Sequence, residues 1–336
     1  MGSRSAAGSL FAFTIFAGFT IALFVFQIIG TSGYSHLLCG VAALVVGGLL
    51  FAVIHEWRLR RPTSTPDEFS VDDIGSFAAV VVGALATFGL SIYLELGAVV
   101  ASGAVGLVAA VVIKRHAAAA FCGSFVGMSS SLVLPTLGCV ALAGTIAGVV
   151  FVLGKRVLNG FGGKLGTTAM IGCLAAATLL GQDLAGGAIP SGPLVWWIVG
   201  YSAIGAVITY VASIRWRLGP VAASAIVGLA AGLLLPYVHT AVDGGLIAVA
   251  VFCASFAGMS AAERMSSGRI PGEVWMTLAG VLCGVAFVYT APYFGGAGGK
   301  LGTIAFGSTI AIRGLLDLGT IIRTRFPPHA RMVTGG

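Results

Sequence analysis

The chain has 336 residues, of which 58% are hydrophobic and only 9% charged, and its net charge is +7. Soluble domains carry about 25% charged residues, so this composition excludes a soluble enzyme, and its apolar excess excludes a disordered chain. Six cysteines among 336 residues are too sparse for a secreted disulfide scaffold.

Apolar runs between polar breaks predict twelve segments, over 9–30, 36–54, 74–93, 97–113, 117–134, 136–153, 166–181, 194–214, 219–238, 245–261, 274–290 and 302–318. A full helical span needs about 20 residues. Segments five, seven and ten are short and carry Gly, Ser and Thr, so they are expected to be broken or half-spanning helices. The first run is about as long as a span needs and no small-residue cleavage site follows it, so it is expected to stay in the membrane. Glu56 to Asp73, with Arg58, Arg60, Arg61, Pro62 and Pro66, reads as a polar linker between the first two segments and the rest.

Charge tests the count. The basic residues form short clusters between apolar runs, which marks them as topology signals and argues against nucleic acid as a partner. With a cytoplasmic N-terminus and twelve crossings, the inside holds Arg4, Arg58, Arg60, Arg61, Lys114, Arg115, Lys155, Arg156, Lys164, Arg215, Arg217, Arg264, Arg269, Arg313, Arg323, Arg325 and Arg331, seventeen of the eighteen Lys and Arg. Only Lys300 falls outside. The expected location is the plasma (inner) membrane, multi-pass, with both termini cytoplasmic.

Four sequence blocks recur in the same order. Leu96-Gly97-Ala98-Val99-Val100-Ala101-Ser102 returns as Leu218-Gly219-Pro220-Val221-Ala222-Ala223-Ser224, and Phe121-Cys122-Gly123-Ser124-Phe125-Val126-Gly127-Met128-Ser129 as Phe252-Cys253-Ala254-Ser255-Phe256-Ala257-Gly258-Met259-Ser260. Ala143-Gly144 with Gly148-Val149 returns as Ala279-Gly280 with Gly284-Val285, and Gly162-Gly163-Lys164-Leu165-Gly166-Thr167 as Gly298-Gly299-Lys300-Leu301-Gly302-Thr303. Each repeat therefore holds five segments. Five is odd, so the second copy must enter from the opposite side, which predicts inverted topology about an axis in the membrane plane. The predicted fold is an all-α polytopic membrane protein. A two-helix hairpin and linker (1–73) precede repeat 1 (74–181) and repeat 2 with a cytoplasmic tail (182–336).

Inverted repeats build two-ended paths with a site near the midplane, so the leading expectation is a channel or transporter for a small inorganic anion or small polar solute. Ser124, Phe125, Gly127, Met128 and Ser129, with Ser255, Phe256, Gly258, Met259 and Ser260, are expected to line it. On that reading the glycines let the chain approach the solute. The alternative for each serine is a packing seam with its hydroxyl bonded to backbone. Gly163, Lys164, Gly166 and Thr167, with Gly299, Lys300, Gly302 and Thr303, place a lysine at a helix start. Such a start attracts anions; the alternative is a lysine snorkelling to the interface or capping the carbonyl end of a neighbouring helix. These elements lack Walker spacing, so nucleotide is not expected.

No Asp or Glu falls in the middle of a segment, which argues against a carboxylate proton antiporter. A cation path built from backbone carbonyls and serine hydroxyls is the second reading, and a membrane-embedded enzyme or assembly subunit the third. His116 and His239 sit at segment ends and read as interfacial. Cys122 and Cys253 are mates without metal spacing and read as packed thiols. No catalytic residue, metal or cofactor is expected. Membrane lipid and the solute are the expected partners, and self-association is left open.

Overall fold

The computed structural model describes residues 2–33, 36–59, 69–266 and 270–325. Arg60, Arg61, Pro62 and Pro66 of the linker, and Arg269 and Arg331 of the charge count, lie outside them. The described residues form thirteen α-helices: α1 (Gly2–Ser32), α2 (His36–Leu59), α3 (Val71–Phe88), α4 (Ala98–Val112), α5 (Ala117–Gly127), α6 (Leu137–Leu153), α7 (Lys164–Leu179), α8 (Pro193–Ile214), α9 (Pro220–Val238), α10 (Ala241–Gly258), α11 (Ala262–Met265), α12 (Gly272–Tyr289) and α13 (Lys300–Arg325). Each of the twelve apolar segments contains one of them. The extra helix, α11, is a single polar turn.

Eight helices among the described residues are long and apolar enough to cross a membrane: α1, α2, α3, α8, α9, α10, α12 and α13. At 1.5 Å per residue, the 18 residues of α10 reach about 27 Å against a hydrocarbon core of about 30 Å. The 11 residues of α5 reach only about 16 Å. Segment ten is thus longer than its apolar run. The Asp243 N–H donates to the Thr240 side chain at 3.1 Å, capping α10 four residues before that run begins. Segment five is a short helix, unlike segment ten, because α5 stops at Gly127 and residues 128–136 are irregular.

The two halves repeat their packing. Helix α3 lies against α5 and α6 as α8 lies against α10 and α12, while α4 meets α9 and α7 meets α13 between the halves. The backbone repeats too. Among the described residues, the four non-glycine residues with left-handed φ fall into two matched pairs, Glu95 (54°) with Arg217 (56°) and Leu158 (49°) with Phe294 (55°). Such conformations cost a non-glycine residue about 1–2 kcal/mol, so matched occurrences mark one local fold built twice.

Close approach between helices comes from small residues, since lipid offers apolar side chains no drive to leave it. In α5, Gly123 and Gly127 form a Gly-x-x-x-Gly seam: a Cβ at either would strike the α3 backbone, at Val80 and Ala84 respectively. In α10, Gly258 lies in the same way against Ala206 and Thr209 of α8. The hairpin of α1 and α2 packs mainly on α13, where Gly48 and Gly314 bring two backbones together.

Ion pairs gather helix ends around one end of the bundle. Lys155 pairs with Asp73 at 2.9 Å, Arg215 donates to Glu273 at 2.6 Å, Arg264 pairs with Glu56, and Arg115 pairs with Asp72. Trp196, Trp197 and Tyr237 sit exposed near helix ends, as interfacial aromatics do.

Candidate functional site

Helices α5 and α10 each present three faces. The glycine face is the seam against α3 or α8 just described. The opposite face carries phenyl rings: Phe121 and Phe125 of α5 meet Phe252 and Phe256 of α10, all four buried. The Phe125 and Phe256 ring centroids are 4.4 Å apart, and both pairs within one helix are at 4.5 Å. Cross pairs at 6.1–6.3 Å close the cluster. Offset and edge contacts of this kind add about 0.5–1.5 kcal/mol each beyond burial. The third face is polar. Ser124 Oγ lies 2.8 Å from Ser102 Oγ of α4 and Ser255 Oγ lies 2.8 Å from Ser224 Oγ of α9, each serine of the motif also donating to the carbonyl three residues back.

The helix ends are closed from the opposite half. Ser129 Oγ accepts from the Gly298 N–H at 3.0 Å, and Ser260 Oγ accepts from the Gly162 N–H at 2.9 Å. Gly163 (φ 86°) and Gly299 (φ 88°) then turn the chain into α7 and α13. Only glycine fits, because a Cβ on Gly163 would run into Gly302 and Phe306 and one on Gly299 into Gly166 and Met170. Gly166 and Gly302 face each other where α7 and α13 cross, each a Cβ's length from the other's backbone. The thiols are matched as well: Cys122 donates to Leu165 O at 3.2 Å and Cys253 to Leu301 O at 3.1 Å.

Each lysine reaches back to the end of the preceding helix. Lys164 Nζ donates to Gly154 O at 2.7 Å and to Asn159 Oδ1 at 2.7 Å, and Lys300 Nζ donates to Thr290 O at 2.6 Å. Both caps are the carbonyl-end contacts expected of a cation at a helix C-terminus.

Two cavities flank this centre. One, of about 380 Å³, is lined by Phe125, Met128, Phe256, Phe287, Lys300 and the glycine-rich stretch 295–299, among others. The other, of about 500 Å³, holds the counterparts Met259, Phe151, Lys164 and 160–163, with Lys155, Asn159 and Ser260. Phe256 lines the first cavity, and its carbonyl packs against Gly162, which lines the second.

Of the expected site residues, Phe125, Met128, Phe256, Gly299 and Lys300 line the first cavity, and Met259, Ser260, Gly163 and Lys164 the second. Ser124, Ser255, Thr167 and Thr303 are buried in helix packing instead, with Thr303 Oγ1 3.1 Å from Met170 Sδ. Ser129 is likewise buried, spent on the Gly298 amide. Gly127 and Gly258 do not face a cavity. They are seam residues, and Gly166 and Gly302 belong to a helix crossing. Ser102 and Ser224, which lie in the duplicated blocks, join the site only through the fold, as do Thr87 and Thr209, matched and buried against Gly127 and Gly258 with unpartnered hydroxyls. His116 bonds Ser76 at 3.2 Å and His239 bonds Tyr201 at 3.3 Å.

Comparison with protein families, with curated proteins and with solved structures finds no match. What the fold itself defines is a multi-pass, all-helical membrane protein.

Proposed function

We propose that this chain moves a small inorganic anion, or a small polar solute, across the plasma membrane along a path joining the two cavities. In this reading residues 74–181 and 182–336 are inverted repeats, preceded by the hairpin and linker of 1–73, and both termini are cytoplasmic. The cavity at Lys164 opens inward, at the basic end of the bundle, and the cavity at Lys300 opens outward.

The observation that carries the reading is that the cavities are built from equivalent parts: a Met, a Phe, a lysine and a left-handed glycine turn at the start of a helix. A packing core needs no opening on two sides. The four phenyl rings then act as the barrier between the openings, and the arrangement described here is a closed state. A lysine in both openings favours anions over cations. Several carbonyls at or beside the first cavity already accept hydrogen bonds: Thr290 O from Lys300, Ala291 O from the Gly187 N–H, Gly295 O from the Ala185 N–H and Gly296 O from the Ser130 N–H.

Flux of anions, cations and neutral solutes into proteoliposomes of the purified protein tests the proposal. Movement of an anion or polar solute above empty vesicles supports it. Vesicles as tight as empty ones toward the whole panel would leave the two cavities without a transport role.

A further inference from the structure

We infer that the cavity at Lys300 is a binding site for one weakly hydrated, monovalent anion, held as an ion pair with the lysine ammonium. This names the substrate class of the outward opening proposed above and rests on that reading for its role in transport.

The lining decides the class. Of the residues around this cavity, Lys300 alone has a polar side chain; the others are Ala, Val, Leu, Pro, Met, Phe and Gly. One ammonium balances one negative charge. It keeps N–H donors beyond the one given to Thr290 O. The helix start at Lys300 adds backbone N–H groups with no partner inside the helix, together with the positive end of its dipole. Phenyl edges are positive and accept the flank of a large anion. A divalent oxyanion such as sulfate would bring a second charge and a full shell of acceptor oxygens into a wall without side-chain hydroxyl, amide or guanidinium groups, and most of that desolvation would go uncompensated. Thiocyanate, iodide and nitrate shed water more easily and match an apolar, polarisable wall. The cavity at Lys164 differs in its side chains, since Lys155, Asn159, Thr168, Ser213 and Ser260 also line it. Selectivity therefore resides at Lys300.

The test is calorimetric titration of the full-length protein in nanodiscs with sodium thiocyanate and, at matched ionic strength, sodium sulfate. Thiocyanate should bind about tenfold or more tightly than sulfate. Lys300→Met should weaken thiocyanate binding about tenfold or more, while Lys300→Arg keeps it within about threefold. Because Lys300→Met also removes a helix cap, Ala98→Asp serves as the second variant. Ala98 lines the cavity in the first turn of α4, where an acid suits the helix, so its carboxylate should compete the anion away without unfolding the protein. Sulfate binding as tight as thiocyanate, no anion binding, or thiocyanate binding unchanged in both Lys300→Met and Ala98→Asp would overturn the assignment. Lys300-dependent binding without flux would refute transport and leave the site standing. Flux of cations or neutral solutes without thiocyanate binding would do the reverse.

Discussion

Removing the facing rings Phe125 and Phe256 tests whether the phenyl cluster is a barrier or merely a core. Both side chains are about 1% exposed and their centroids are 4.4 Å apart. A buried Phe→Ala costs about 3–5 kcal/mol where the void stays dry. Two such changes, with the shared ring contact of about 1 kcal/mol counted once, come to roughly 5–9 kcal/mol. That approaches the whole stability of an ordinary domain, about 5–15 kcal/mol. If the void instead joins the adjacent cavities and fills with water, only the transfer cost of the rings is lost, about 1.5–3 kcal/mol each. The expectation for Phe125→Ala with Phe256→Ala is therefore a folded protein with a modest loss of thermal stability and a several-fold rise in passive anion leak from dye-loaded vesicles. Phe24→Ala is the control, since that ring is equally buried but packs on Gly307, away from both cavities. A double variant that loses the larger sum and leaks no more than Phe24→Ala would refute the barrier.

Gly163→Ala and Gly299→Ala each force a side chain into left-handed backbone and against the facing helix. Each should destabilise by about 2–5 kcal/mol, read as a fall in melting temperature, and the two falls should be alike. Gly127→Leu should abolish folding rather than only block a path, because its side chain meets Ala84, Thr87 and Phe88; a monodisperse, thermally stable variant would contradict the seam. Double-mutant cycles on Ser102 with Ser124 and on Ser224 with Ser255 should give equal coupling energies of about 1 kcal/mol, and unequal values would break the equivalence of the halves. Cys122 and Cys253, both fully buried, should resist maleimide in the native protein and react on denaturation, as mass spectrometry would detect.

The helices were legible because their apolar runs are long and their breaks polar. The duplication was legible because chemistry-bearing residues recur in order. The partner of each face was not. The period of 3.6 tells that Gly123 and Gly127 share a face, yet a glycine stripe looks the same whether a helix or a solute lies against it. The start of α10 was hidden because Asp243 and Gly244 look like a break, whereas Asp243 lies in the first turn of the helix that Thr240 caps and Gly244 packs against Leu235. Long-range closure was equally hidden. Nothing near Ser129 announces that its hydrogen-bond partner is Gly298, 169 positions away.

That last contact bears on how the chain is made. Ser129 and Gly162 both leave the ribosome well before the residues that satisfy them, Gly298 and Ser260. The first half is thus unfinished during synthesis, with the Ser129 hydroxyl lacking its Gly298 donor until the final glycine turn arrives. These contacts can form only once the C-terminal quarter has been made, and contacts so distant in sequence slow folding. A ribosome stalled before Gly298 would release a chain that is inserted but not folded, the kind of intermediate that quality-control proteases remove. Two fragments divided between the halves and produced together should complete one another, because what each lacks the other supplies.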